Sequence, residues 1–115
     1  MSTRTAWLIV AAFAPAAFAP TVTAQDVAQN PGAALAKSSR CYACHDATRV
    51  LIGPPYQAIA LRYAGDRKAM ESVLARKILV GGGGNWGVVP MVPNEHVKPE
   101  DALALARWVL EQGTR

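Results

Sequence analysis

The order of apolar and polar positions along the chain predicts four helices and no strand of useful length. The first helix is predicted over residues 31–39, with Asn30 at the N-cap and Pro31 at the first helical position. Ala33, Ala34, Leu35 and Ala36 give it small sides, suited to close approach by another helix. Ile52 to Tyr56, "IGPPY", cannot be helix interior, because two prolines fix an extended turn. A short helix is predicted over 56–64, stopped by Gly65. Asp66 is expected to cap the next one, where Met70, Val73, Leu74 and Ile78 recur at the spacing of one buried face, ending at Gly81. Residues 81–94, "GGGGNWGVVPMVPN", hold five glycines and two prolines and must be loop. A last helix starts at Pro99, with Glu100 and Asp101 in the turn where the helix dipole favours acids. Its polar face is Glu100, Arg107 and Glu111; the rest is apolar over more than half the circumference, so it must pack against more than one element.

The loop and the N-terminus do not fit this plain helical pattern. The loop carries Trp86, Met91 and three valines, odd for a solvated segment, and long apolar loops in small domains are usually functional. The N-terminal run "AWLIVAAFAPAAFAP" follows Arg4 and precedes Val22 and Ala24, small residues at positions −3 and −1 of a cleavage site. Residues 1–24 therefore read as a secretory signal peptide cut before Gln25, leaving residues 25–115 as one domain. An uncleaved membrane anchor is the rival. Pro15 and Pro20 break the run short of the ~20 residues a span needs.

Charge changes the picture little. The 115-residue chain has a formal net charge of +4, and loss of Arg4 with the leader lowers it by one. The basic residues are scattered, which argues against nucleic-acid binding. Size matters more, because a domain this small often needs a disulfide, metal or cofactor to complete its core.

The sequence "CYACH", Cys41 to His45, holds both cysteines of the chain and one of its two histidines. Three chemistries use such a cluster. Structural zinc wants a second ligand pair, and only His96 is spare. A thiol–disulfide oxidoreductase site belongs beside a βαβ pattern, which is absent. C-x-x-C-H is also the attachment sequence of c-type haem. Positions i, i+3 and i+4 share one helical face, so Cys41 and Cys44 can reach two vinyl groups while His45 points at the iron.

A sixth iron ligand would come from Met70, Met91 or His96. Met70 is in register with the apolar face of its helix and reads as a core methionine. His96 reads as an exposed loop imidazole. Met91, framed by Pro90 and Pro93 in the apolar loop, reads as the ligand, and the loop then closes the second haem face.

With these motifs in order, "CYACH", "GPPY", "GNWGVVPMVPN" and "PEDALALARWVLEQ", the chain resembles the class I cytochromes c of the small bacterial cytochrome c-551 (cytochrome c8) type over nearly all of residues 30–112. The resemblance implies an all-α class I cytochrome c fold, with about four helices and a methionine-bearing loop around one covalent haem c. It implies thioethers at Cys41 and Cys44 and iron ligation by His45 and Met91. It further implies a Pro54 carbonyl bonded to the ligand histidine, Trp86 near a haem propionate, and Asn94 bracing the methionine loop. Leu105 and Trp108 match positions where the last helix packs on the first helix and the haem. Arg40 departs from the glycine that many relatives carry before the first cysteine.

The function so implied is single-electron transfer between redox-partner proteins in the periplasm. The carrier is expected to be a monomer that forms transient complexes, has no membrane span after cleavage and catalyses no reaction itself. Ile52, Leu61, Leu74, Val89 and Leu105 are candidate walls of an apolar haem pocket; Arg40, Arg49, Lys77 and Lys98 are candidates for a basic rim. The alternatives are a dedicated subunit of a periplasmic dehydrogenase or oxidase and, with an open sixth position, a haem sensor.

Overall fold

The structure is a computed structural model that describes residue 14 and residues 24–114. The expected leader lies outside the described residues apart from Ala14 and Ala24. Among the described residues five helices follow one another: α1 (Ala24–Gln29), α2 (Pro31–Ser38), α3 (Tyr56–Arg62), α4 (Arg67–Val80) and α5 (Pro99–Leu110), with short 3-10 turns at Cys41–Ala43, Ala64–Asp66 and Gln112–Thr114. Among the described residues there is no β-strand, only one isolated antiparallel bridge between Gly82 and Met91. No helix among them is long and apolar enough to cross a membrane.

Local chemistry sets the helix ends. The Asn30 side chain accepts from the Ala33 N–H at 3.1 Å, and Pro31 follows at the first position. The Asp66 carboxylate, expected to cap α4, makes no capping bond. A tight turn leads the chain into α4 instead, with the Asp66 N–H donating to the Tyr63 carbonyl at 3.2 Å.

Helix α5 is the spine. It packs against α4, α3 and α2, as its broad apolar surface requires. Ala102, Leu105, Ala106 and Leu110 are fully or almost fully buried. Gly32 lets α2 approach closely, since a Cβ there would lie 2.2 Å from the Trp108 ring. Tyr56 of α3 meets Trp108 edge to face, with centroids 4.9 Å apart.

The face of α4 expected to be buried is only partly covered by protein: Leu74 and Ile78 pack against the core, while Val73 is exposed. Only Ala75 of that helix is fully buried. Met70, Val73, Leu74 and Ile78 do share one side, but that side looks into a large cavity. Their apolar pattern records an apolar surrounding, and the pattern alone does not say whether side chains or a ligand supply it.

Candidate functional site

The cavity has a volume of about 430 Å3 and opens between the "CYACH" turn, α4, the glycine-rich loop and α5. Its size is that of a ligand pocket, and its walls are mostly apolar. Ile52, Leu74, Val89 and Leu105 line it as expected. Leu61 does not: it is 59% exposed. The inward face of α3 is Tyr56, Ile59 and Ala60, and a residue two beyond Ile59 points nearly the opposite way.

Cys41–Ala43 forms one 3-10 turn, closed by the Cys44 and His45 amides donating to the Cys41 carbonyl at 3.2 and 3.0 Å. No disulfide joins the two cysteines, and both line the cavity. Burial pushes the Cys41 thiol up, reinforced by neighbouring Cys44 and only partly opposed by a backbone hydrogen bond. Among the described residues no group of three or more His, Cys, Asp or Glu could hold a metal ion, which counts against zinc. The chain enters the turn through Arg40 at φ 63°, in the left-handed region that favours glycine.

The His45 imidazole is 9% exposed and tightly held. Its Nδ1 lies 2.7 Å from the Pro54 carbonyl oxygen. A carbonyl can only accept, so Nδ1 carries the proton and Nε2 keeps its lone pair. Gly53 presses on the ring: a Cβ there would lie 2.6 Å from Cε1. Tyr56 stacks on it with centroids 5.6 Å apart. The segments "CYACHDA" and "GPPYQ" are also joined by backbone bonds, from Gly53 to Cys44, from Tyr56 to Asp46 and from Gln57 to Ala47. The Asp46 carboxylate accepts from the Thr48 and Arg49 amides and from the Arg49 guanidinium, which holds its pKa at about 2.

Met91 lines the cavity from the loop. Its backbone is fixed by reciprocal bonds with Gly82, both 2.9 Å. The chain reaches that bridge through Gly81 at φ 69°, where a Cβ would lie 2.3 Å from the Met91 carbonyl oxygen. Only glycine fits there. Asn94 braces the same segment: its side-chain amide donates to the Ile78 carbonyl at 2.9 Å and to the Val92 carbonyl at 3.3 Å. Met70 lines the cavity too, from α4, so it is a wall residue and not a residue of the protein core.

His96 stands apart. It is exposed, it is not among the cavity residues, and its Nε2 donates to the Ser39 carbonyl at 3.0 Å. Trp86 lines the rim of the cavity but is 41% exposed. Of the four candidate rim cations, Arg40 and Lys77 line the cavity, Arg49 pairs with Asp46 at 3.4 Å, and Lys98 sits exposed before α5.

Several features escape a reading of the sequence alone. The Gly82–Met91 bridge joins backbone groups and leaves no side-chain signature. Gly53 against the imidazole was readable only as part of a turn. Tyr56 Oη and Trp108 Nε1 are buried with no hydrogen-bond partner within the protein, although both residues line the cavity. Burial pushes the Tyr56 phenol up, so it stays protonated.

Two thiols, an imidazole with a free Nε2 and a thioether thus face one apolar space. Comparison with known proteins bears on what fills it. The cytochrome c family model matches residues 29–112. The chain is 41% identical over 107 residues to cytochrome c-552 of Nitrosomonas europaea, covering 93% of this chain and 96% of that protein. It is 45% identical over 76 residues to cytochrome c-551 of Allochromatium vinosum, covering 66% of this chain and 80% of that one. The crystal structure of wild-type Nitrosomonas europaea cytochrome c552 superposes with a TM-score of 0.66 at 44% identity, covering 69% of this chain and 96% of that one.

Proposed function

The chain belongs to the cytochrome c family, and from that premise we propose that it shuttles single electrons in the periplasm through a haem ligated by His45 and Met91. As a member of that family it is an electron-carrying monohaem cytochrome c, not an enzyme, with haem c bound covalently through Cys41 and Cys44. The donor set and the apolar walls fit that group. The haem iron supplies the one-electron couple, and the chain's residues tune and shield it.

The bond from His45 Nδ1 to the Pro54 carbonyl carries the ligand assignment. It fixes the ring, leaves Nε2 as the electron-pair donor, and makes the imidazole a stronger ligand. Met91, bridged to Gly82, brings a soft thioether from the opposite loop, which favours the reduced state. Ile52, Leu74, Val89 and Leu105 withhold solvation from the extra positive charge of the oxidised state and raise the potential further. Held by both His45 and Met91, the iron would be kept from small external ligands. Trp86 and Asn94 act on the loop side, Trp86 at the cavity rim, where its indole N–H could meet a haem carboxylate, and Asn94 as the brace of the Met91 segment.

Export through a leader ending at Ala24 puts residues 25–115 in the periplasm, where the protein meets its donor and acceptor transiently. The test is potentiometry together with carbon monoxide exposure of the exported protein. A one-electron wave and a ferrous form indifferent to carbon monoxide at neutral pH support the carrier. Ready carbon monoxide binding would replace it with a sensor having an open sixth position. A mature N-terminus at Gln25 in the periplasmic fraction supports the location.

A second reading has its own observation. Val50, Leu51, Ile52, Val88, Val89 and Val92 are exposed apolar side chains, and three of them reach the cavity rim. Exposed apolar side chains of this kind suit a partner surface. Purification as a stable complex would make the protein a dedicated subunit; purification as a monomer keeps it a shuttle.

A further inference from the structure

We propose that Arg62 is a positioning residue that latches the glycine-rich loop across the cavity mouth and so keeps Trp86, and with it the Met91 segment, in place. The inference rests on the Met91 ligation proposed above. Residues 83–90 run out from the Gly82–Met91 bridge, and among the described residues no backbone–backbone hydrogen bond joins them to the rest of the chain. Gly84 and Gly87 have positive φ and open space where a Cβ would stand. Val88 is 97% exposed. Such a segment gains conformational entropy by opening, and something outside it must hold it down.

Arg62 meets that need from the last turn of α3. Its guanidinium donates to the Asn85 carbonyl and lies over the Trp86 ring, with Cζ 4.6 Å from the centroid. The neighbouring Tyr63 ring supports the same group at 5.7 Å. Among the described residues no carboxylate pairs with Arg62, so these contacts on the loop and on Tyr63 are what engage its charge. The double grip needs a planar fork with a polar edge and a π-facing surface, which lysine lacks. The hydrogen bond joins residues 23 apart in sequence and ties the end of α3 to loop residues Asn85 and Trp86, which line the cavity. Opening of the latched segment would loosen the strap that carries Met91 and let an external ligand compete for the iron.

The experiment compares Arg62→Ala and Arg62→Lys with the wild-type holoprotein by amide hydrogen exchange and by titration of the ferric form with imidazole. In Arg62→Ala, exchange across 83–90 should rise and imidazole affinity should increase by about fivefold to seventyfold, the size of an exposed cation–π contact plus one hydrogen bond. Arg62→Lys should fall between. In a Trp86→Ala background the Arg62→Ala effect should shrink, because the stacking partner is gone. Unchanged exchange at 83–90 would overturn the proposal, as would an increase spread equally over α5, which would report global destabilisation. If wild-type ferric protein shows no methionine–iron band, the ligation reading fails, while the exchange comparison still decides the latch.

Discussion

The two sides of the cavity are built differently. On the His45 side the ring is pinned by a hydrogen bond to Pro54, pressed by Gly53, stacked by Tyr56 and enclosed in a segment cross-linked by backbone bonds. On the Met91 side a single backbone bridge, one asparagine brace and the Arg62 latch hold an exposed, glycine-rich strap. The imidazole is held by packing around its ring and a hydrogen bond at Nδ1, whereas the thioether is fixed by a few polar contacts at the ends of a loop. Local stability follows such differences, so the methionine side should open first under heat, denaturant or competing ligand.

Leu105→Ala should have the largest effect, because Leu105 is 1% exposed and borders both the core and the cavity. A loss of about 2–5 kcal/mol in denaturant unfolding is expected, with both sides failing together. Loss of the methionine–iron band well before global unfolding in this variant would mean that the sides are not coupled through α5.

Gly81→Ala should separate them. The new Cβ meets the Met91 carbonyl at a positive φ, so about 1–3 kcal/mol is lost. The methionine signature should vanish while histidine ligation and covalent haem persist. Retention of that signature would show that the Gly82–Met91 bridge does not set the ligand.

Arg40→Gly acts on the histidine side with the opposite sign. It relieves a left-handed residue at some cost in unfolded-state entropy, for a net gain of about 0.5–1 kcal/mol. The gain should appear in the unfolding midpoint and leave imidazole affinity unchanged. Lower stability would mean that the Arg40 side chain on the cavity contributes more than its backbone strain costs.

The smallest effect is that of pH on the Asp46 turn. Its carboxyl is lowered from 3.8 to about 2 by the Thr48 amide, then the Arg49 amide and guanidinium. A depressed folded-state pKa adds stability that is present above 3.8 and lost as pH falls through about 2. Midpoints of wild type and Asp46→Asn measured at pH 7, 4 and 2 should converge at the lowest pH. A constant gap would remove the charge from the explanation.

The contrast also explains what the sequence made legible. The His45 side is written in side-chain chemistry at short range: Asn30-Pro31 starts a helix, "CYACH" sets two thiols and an imidazole on one turn, and "GPP" cannot be helix. Helices α2 to α5 could be read for the same reason, because capping residues, prolines and glycines act locally. The Met91 side is held by backbone groups and by partners far apart in the chain, such as Arg62 with Asn85, so the loop was readable as apolar and unusual but not as a bridged strap. Leu61 was misassigned to the pocket wall and Met70 to the core, because apolar spacing does not say which side faces a ligand. The Asp66 carboxylate does not cap because the tight turn before α4 already sets how the chain enters it.

The most direct test of the two-sided account is the far-red absorption band of a methionine–ferric iron bond, recorded at neutral pH in wild type, Met91→Ala and Met70→Ala. The expected result is a low-spin c-type spectrum with the band in wild type and in Met70→Ala, and no band in Met91→Ala. A band that survives in Met91→Ala, or is lost in Met70→Ala alone, would move the ligand from the strap to α4 and contradict the account.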